Sequence, residues 1–334
     1  MNGSRIVAAV FLTACSGDAT EPESLYPATV VVSPATGEME KFADTLHLTA
    51  TVRDQNGDRM DSVTVEWSTE DSLSATVTAE GVVRARGGGV VGITATAGEV
   101  SDTATITIRL GQLDGLLTLY ESLNGDNWTD NTNWGTESKL QTWYGVVADD
   151  NGNVIRLNLQ RNNLHGEIPP EIKLVKHLRV LDLSFNDSVT GTVPLELAEM
   201  EYLRGILLHH NSLTGTIPSV LANLTGMVNF DLHHNQLTGP MPEWLGDLPE
   251  LTHIGLWGND ITGSVPASLG DLNRMVRLEI QETDLSGRLP RSLMKLKLHV
   301  FHWQDTDLCS PPDDAFQNWL DRIRFHKGGS PCDQ

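Results

Sequence analysis

Two histidine pairs and a nearby aspartate are the residues of this sequence whose types and spacing suggest chemistry. His209-His210 and His233-His234 lie 24 positions apart, and Asp231 comes two positions before the second pair. Imidazole and carboxylate groups together can bind a transition metal, and imidazole alone can respond to pH near neutrality. Alternatively, the pairs reflect duplication of one sequence unit on a solvated surface. We favour this second interpretation and predict no bound metal.

These histidines belong to a repeated sequence unit with the pattern LxLxxNxLxGxIP. Successive copies cover residues 157–169, 181–194, 206–218, 230–242, 254–266 and 278–290, and a decayed copy covers 301–308. A unit of this length cannot bury its own apolar face, so neighbouring units must stack into a solenoid. The two histidine pairs occupy the same position in adjacent units, and we therefore expect them to lie side by side.

The pattern also predicts which side chains face a ligand. The two leucines of LxL point into the core, and the flanking residues point outward from the inner, concave sheet, whose strands lie about 4.8 Å apart. Exposed aromatic groups on such a surface favour binding. We therefore expect the ligand-binding residues of the concave face to be Phe185, Leu207, His209, His210, Asp231, His233, His234 and Trp257.

An asparagine recurs in the repeated unit where the strand bends. Its amide can both donate to and accept from backbone groups, and stacking places these amides in a ladder whose bonds contribute about 1 kcal/mol each. Threonine replaces asparagine at Thr283 and Thr306, and a hydroxyl offers fewer hydrogen bonds than an amide. We expect the ladder to weaken toward the C-terminus.

The repeats resemble the plant-specific class of leucine-rich repeats, and the flanking segments resemble the caps of that class. Residues 111–153 begin with apolar residues at helical spacing and include Trp143-Tyr144-Gly145-Val146, which is similar to the N-terminal cap. Residues 309–334 carry a second helical pattern that would cover the last unit. The resemblance implies a right-handed, curved solenoid over residues 154–308 with helical caps.

The segment before the N-terminal cap is predicted to be all-β. Residues 28–110 contain about seven short runs rich in β-branched residues, with period-two alternation at 46–52 and 104–108 and a turn at Asn56-Gly57. The runs around Trp67 and Gly81 resemble the bacterial Ig-like domain of group 2. The resemblance implies a β-sandwich with Trp67 in its core.

The first residues resemble a bacterial lipoprotein signal. Arg5 precedes a short apolar run that ends in Leu12-Thr13-Ala14-Cys15, which is similar to a lipobox. The resemblance implies a signal peptide over residues 1–15, lipid attachment at Cys15, and a polar tether over residues 16–27. An ordinary secretory signal with an incidental cysteine is the alternative.

Cysteine usage agrees with export to an oxidising compartment. If Cys15 carries lipid, Cys309 and Cys332 are left as a pair that can form a disulfide. We therefore expect a protein of the bacterial cell envelope, facing either the periplasm or the exterior. The N-terminal lipid would be its only attachment to the membrane.

The charge balance excludes several classes of function. The 334 residues include 44 Asp and Glu against 23 Lys and Arg, a formal net charge of −21. An acidic chain without a basic run is not suited to bind nucleic acid or an anionic membrane surface. The sequence contains no zinc-protease motif, phosphate-binding loop or nucleophile elbow. We predict that the protein is not an enzyme and needs no cofactor.

These inferences predict a non-enzymatic binding or adhesion protein of the cell surface. The concave face of the repeats would bind a protein or a glycan, and the Ig-like domain would act as a spacer. Two alternatives stay open: a polysaccharide-binding accessory module of a surface enzyme system, and a histidine-based metal binder. A pull-down against envelope extracts and a glycan array would separate the first two functions.

Overall fold

The computed structural model describes residues 24–41, 43–72, 74–86 and 88–333. Within these residues an N-terminal β-sandwich is followed by a solenoid of stacked repeats, which confirms the predicted fold class. The candidate lipidation residue Cys15 and the predicted signal segment lie outside the described residues. The polar tether is described only from residue 24 onward.

Short strands form the β-sandwich. They are β1 (Pro27–Ser33), β2 (Thr36–Met39), β3 (Thr45–His47), β4 (Thr49–Asp54), β5 (Glu66–Thr69), β6 (Ala75–Val77), β7 (Val82–Ala85), β8 (Gly89–Ala97) and β9 (Val100–Ile108). They pair in the orders β2-β9-β8-β5, β3-β7-β6 and β1-β4. Leu48, Ile93 and Ile106 are fully buried between them, and Trp67 packs against this core while remaining partly exposed.

The strand count of the sandwich differs from the prediction in two places. The run 46–52, predicted as one strand, is divided into β3 and β4, which pair with β7 and β1 respectively. Leu48 lies between them and is fully buried, because the chain crosses from one sheet to another through the core there. Strand β2 was not predicted, since its sequence lacks β-branched alternation; its parallel pairing with β9 holds it.

A cluster of tryptophans closes the N-terminal end of the solenoid. Helix α1 (Gln112–Ser122) leads into it. Trp128, Trp134 and Trp143 are buried, and the ring centroid of Trp134 lies 4.9 Å from those of both other tryptophans. The indole nitrogen of Trp128 donates a hydrogen bond to the carbonyl of Leu123 at 2.8 Å. Burial of these rings covers the first repeat.

Each of the six complete repeats contributes a concave strand, a convex strand and a short 3₁₀ turn, and the decayed copy contributes two strands. The strands are β10 (Val146–Ala148), β11 (Val154–Asn158), β12 (His165–Glu167), β13 (Val180–Asp182), β14 (Ser188–Thr190), β15 (Gly205–Leu207), β16 (Thr214–Gly215), β17 (Asn229–Asp231), β18 (Gln236–Pro240), β19 (His253–Gly255), β20 (Asp260–Gly263), β21 (Arg277–Glu279), β22 (Asp284–Arg288), β23 (Val300–His302) and β24 (Asp307–Cys309). The 3₁₀ turns of the repeats are Pro170–Leu174, Leu195–Glu199, Ser219–Asn223, Glu243–Asp247, Ala267–Asp271 and Arg291–Lys295, and those of the cap are Gly125–Asn127 and Leu140–Thr142.

The C-terminal segment closes the solenoid with a helix and a strand. Helix α2 (Asp314–Leu320) buries Phe316 and Trp319 against the last repeat, and a disulfide joins Cys309 to Cys332. Ile323 is also buried but lies beyond the end of α2. Strand β25 (Phe325–Lys327) was not predicted; it pairs with β23 and extends the concave sheet.

The concave sheet is therefore a single nine-stranded sheet in the order β10-β11-β13-β15-β17-β19-β21-β23-β25. The hairpin pair β10 and β11 is antiparallel, and each later pair is parallel. On the opposite side, β12 pairs with β14, and β16, β18, β20, β22 and β24 form a second parallel sheet. The leucines of both sheets form one continuous core with the caps.

A ladder of buried asparagines fixes the register between repeats. Asn186 donates to the carbonyls of Leu159 and Leu183 at 3.0 and 2.9 Å, and its oxygen accepts from the amide of Leu164 at 3.1 Å. Thr283 instead donates one bond, to the carbonyl of Ile280 at 2.8 Å. The ladder thus weakens toward the C-terminus, as predicted.

No helix within the described residues combines the length and the apolar character needed to cross a bilayer.

Candidate ligand-binding surface

Strand register places the candidate residues in columns on the concave sheet. Leu207, Asp231 and Gly255 end consecutive strands and pair with one another across the sheet. The side chains two positions after these residues, at 209, 233 and 257, form a neighbouring column. Because the leucines between them point into the core, every repeat presents the same positions to the concave surface.

The first ring column consists of His209, His233 and Trp257. The rings of His209 and His233 stack with centroids 4.3 Å apart and planes 12° from parallel. The rings of His233 and Trp257 stack at 4.6 Å and 9°. All three side chains are partly buried. The column is therefore an ordered stack, as the sequence predicts from the strand spacing.

The second ring column consists of Phe185, His210 and His234. Phe185 stacks on His210 at 4.3 Å, and His210 lies 4.3 Å from His234. The Arg161 guanidinium sits 3.7 Å from the centre of the Phe185 ring, where a cation–π interaction adds to the stack. Trp257 joins both columns, since its ring also lies 4.0 Å from that of His234. The six rings form a continuous surface, which we call the ring strip.

The backbone of the second ring column is unusual. Phe185, His210 and His234 adopt φ values of 58°, 53° and 51°, in the left-handed region that bulky residues seldom occupy. Gly258 takes the equivalent position in the next repeat, with φ 64°. A Cβ at Gly258 would lie 2.5 Å from Nδ1 of His234, so the glycine makes room for that ring. The column therefore ends at His234, beside Trp257.

Asp231 lies beneath the ring strip instead of on its surface. Its side chain is only 8% exposed, and Oδ1 accepts a hydrogen bond from Nδ1 of His233 at 2.5 Å. Its Oδ2 lies 3.5 Å from Nδ1 of His209. The carboxylate therefore lies mostly buried under the rings, and the role of Asp231 in ligand binding stays a prediction. The aspartate orients His233 from below, and Leu207 remains partly exposed beside it.

Burial favours the neutral form of three of the four histidines in the ring strip. Burial lowers the pKa of His209 to about 4, although the attraction of Asp231 acts in the opposite direction. Burial, together with the positive charge of neighbouring histidines, also lowers the pKa values of His210 and His234. Burial opposes ionisation of Asp231, but its hydrogen bond with His233 keeps its pKa below the usual value.

A polar group that the repeat pattern does not indicate lies next to the ring strip. Glu279 Oε2 contacts Nε2 of His253 at 3.2 Å and Nη2 of Arg277 at 2.8 Å. Its Oε1 lies 3.8 Å from Nδ1 of His302. The register of the repeats places these residues on the concave sheet, but their pairing depends on side-chain directions that a sequence pattern does not contain.

Taken together, the fold and the surface define a β-sandwich module joined to a leucine-rich-repeat solenoid with an aromatic concave face. Residues 28–108 match the family model of the bacterial Ig-like domain (group 2). Residues 153–174 and 201–261 match family models of the leucine-rich repeat. The chain is thus a protein in which a bacterial Ig-like domain of group 2 precedes leucine-rich repeats, as the sequence resemblance implied.

Similar solved structures are leucine-rich-repeat proteins. One is the ectodomain of the plant membrane receptor kinase GASSHO1/SCHENGEN3 from Arabidopsis thaliana, in complex with CASPARIAN STRIP INTEGRITY FACTOR 2. It is 28% identical with a TM-score of 0.58, over 66% of this chain and 26% of that chain. Pollen Receptor Kinase 3 is 24% identical with a TM-score of 0.50, over 55% of this chain and 90% of that chain, and shows the fold alone. This chain spans about a quarter of the GASSHO1/SCHENGEN3 ectodomain.

Proposed function

We propose that this chain is a non-enzymatic binding protein that recognises a protein partner through the ring strip. The observation that carries the proposal is the strip itself, in which six partly buried rings form one continuous surface on a rigid parallel sheet. We further propose that the protein is exported, held at the cell envelope by lipid on Cys15, and spaced from the membrane by the Ig-like domain.

The physical basis of recognition is that the side chains of the strip lose little conformational entropy when a partner binds. Aromatic side chains contribute much of the energy of protein interfaces because they bury large apolar areas. The rings of the first ring column are already held by stacking, and His233 is held by Asp231. A partner would therefore lose little side-chain entropy from this surface on binding.

The similar receptor ectodomain favours a protein over a glycan as the partner. The GASSHO1/SCHENGEN3 ectodomain was solved in complex with CASPARIAN STRIP INTEGRITY FACTOR 2. The similarity covers the solenoid fold and about a quarter of that ectodomain, so it supports the class of ligand and not its identity. Neither an Ig-like domain nor a leucine-rich repeat typically carries an active site, which favours a binding function over an enzymatic one.

The decisive variant is Trp257→Ala. Trp257 joins both ring columns, and truncation of an aromatic at the centre of an interface often costs about 2 kcal/mol or more. A partner captured from envelope extracts should bind Trp257→Ala at least about tenfold more weakly. Tyr202→Ala is the matched control, because Tyr202 is an exposed aromatic that stacks on His177 outside the strip.

Folding must be separated from binding in this experiment. Leu256 is fully buried, so Leu256→Ala should lower the free energy of unfolding by about 2–5 kcal/mol. Trp257→Ala should leave the circular dichroism spectrum and the unfolding midpoint close to those of the wild type. A captured protein that binds Trp257→Ala with full affinity would refute the proposal, as would binding of glycans alone on an array.

A further inference from the structure

A cluster of potential metal ligands lies within the first ring column. It consists of His209, which follows β15 by two residues, His233, which follows β17 by two residues, and Asp231, which ends β17. One donor atom from each of the three lies within 4.8 Å of the other two. The stacking of two adjacent repeats therefore assembles two imidazoles and a carboxylate at one point of the concave sheet.

His209 carries a nitrogen whose bonding capacity is not used within the described residues. Its Nδ1 is buried without a hydrogen-bond partner, and it faces Asp231 Oδ2 at 3.5 Å. A buried polar atom left unsatisfied costs about 1–3 kcal/mol, and such an atom often marks a site for an ion or ligand.

Space beside the carboxylate is kept open by a glycine. Gly255 pairs with Asp231 across the sheet, and a Cβ at Gly255 would lie 2.5 Å from Asp231 Oδ1. Any larger residue there would press on the oxygen that bonds His233. His253, two residues before Gly255, is engaged by Glu279 at 3.2 Å and is not counted among the ligands.

We propose that His209, Asp231 and His233 form a binding site for a divalent transition metal ion. The ligands are Nδ1 of each histidine and one or both oxygens of Asp231. Nδ1 of the neutral His233 ring now donates its proton to Asp231; when the metal binds Nδ1, the ring carries its one proton on Nε2 instead and stays neutral. Three protein ligands leave one or more coordination positions for water or for a group of a bound partner.

The donor set selects the class of ion. Imidazole nitrogen with a single carboxylate suits Zn²⁺, Co²⁺, Ni²⁺ or Cu²⁺, whereas Ca²⁺ and Mg²⁺ prefer oxygen ligands. The two imidazole planes are 12° from parallel and their centroids are 4.3 Å apart, so one ion cannot lie in the planes of both rings. Binding therefore requires the rings to rotate about their side-chain bonds, which would also disturb the stack of His233 on Trp257.

The test uses the untagged, EDTA-treated full chain. It is titrated with Zn²⁺ alone, with binding measured by calorimetry. It is also titrated with Co²⁺ alone, with binding measured by visible absorption. We expect saturable binding of about one ion per chain at neutral pH. His209→Gln, His233→Gln and Asp231→Asn should each weaken binding at least about tenfold. His210→Gln and His234→Gln are the matched controls, because they alter the second ring column and should change affinity little.

A second measurement keeps the test independent of how well the variants fold. X-ray absorption at the zinc edge of the wild-type complex should show two imidazole ligands together with oxygen ligands. The proposal is overturned if the wild type shows no saturable binding, if the spectrum lacks paired imidazoles, or if the control variants lose affinity as much as the site variants. Because the readout is metal alone, its failure would leave the proposed partner binding untouched.

Discussion

The asparagine ladder offers the sharpest test of how the repeats hold together, through the substitution Asn235→Ala. Asn235 is buried, donates to the carbonyls of Leu208 and Leu232 at 3.0 and 2.9 Å, and accepts from the amide of Leu213 at 3.0 Å. The three bonds connect consecutive repeats through one side chain. Its removal should therefore weaken the interface between repeats as well as the repeat itself.

The magnitude follows from which groups would lose every partner. The carbonyl of Leu208 also accepts from Asn211 at 2.8 Å, and the carbonyl of Leu232 also accepts from Asn259 at 3.1 Å. The amide of Leu213 has no such second bond to a ladder side chain. One buried donor left unsatisfied costs about 1–3 kcal/mol, and the loss of two further bonds adds to it. We expect Asn235→Ala to lower the free energy of unfolding by about 2–4 kcal/mol.

Thr283→Ala is the internal comparison, because the native threonine donates a single bond, to Ile280. That variant should cost about 1 kcal/mol. Gln236→Ala, next to Asn235 but exposed, should change stability by less than about 0.5 kcal/mol. Urea unfolding followed by circular dichroism gives the free energies, and hydrogen exchange should show faster exchange at the Leu213 amide in Asn235→Ala. Equal costs at positions 235 and 283 would refute the reasoning.

Three further outcomes test other parts of the chain. Breaking the Cys309–Cys332 disulfide by reduction should lower stability by roughly 3 kcal/mol with fraying confined to the last repeats, and mass spectrometry of exported protein should find no free thiol at either cysteine. If Cys15 is lipidated, the protein should partition with membranes and incorporate labelled palmitate, and Cys15→Ser should abolish both; labelling that survives the substitution would exclude a lipobox. Burial opposes ionisation of Glu279, but hydrogen bonds from His253 and Arg277 hold its pKa below the usual value, so its stabilising effect is present above the unfolded pKa and is lost as pH falls through the folded pKa. Glu279→Gln should flatten the pH dependence of unfolding below about pH 4.5, and an unchanged slope would show that the pair does not stabilise the fold.

Much of the solenoid fold can be predicted from the sequence alone, because each repeat has the same pattern of core residues and packs on its neighbours in sequence. The spacing of the leucines determines which residues face the core, and the 24-residue step between His209 and His233 places them on adjacent strands. Parallel strands about 4.8 Å apart then bring equivalent side chains into stacking distance. The two ring columns, including the place of Trp257, were predictable for this reason.

Other features arise only when separate repeats and segments meet. The sequence pattern marks Asp231 as a concave residue, yet packing puts its carboxylate beneath the rings, in reach of both His209 and His233. The space at Gly255 and Gly258 matters only because of the side chains of the preceding repeat. Such contacts depend on side-chain torsions and burial, which no repeat pattern specifies.

The pairing of strands at the sheet edges is likewise decided by the tertiary structure and not by the sequence pattern. Strand β25 extends the concave sheet although its sequence lies within a predicted cap, and β3 and β4 separate at the buried Leu48 although their residues alternate as one strand. Alternation of apolar residues indicates that a segment can form a strand. Which edge it pairs with is decided by the tertiary structure, because the hydrogen-bonding partner comes from a distant part of the chain.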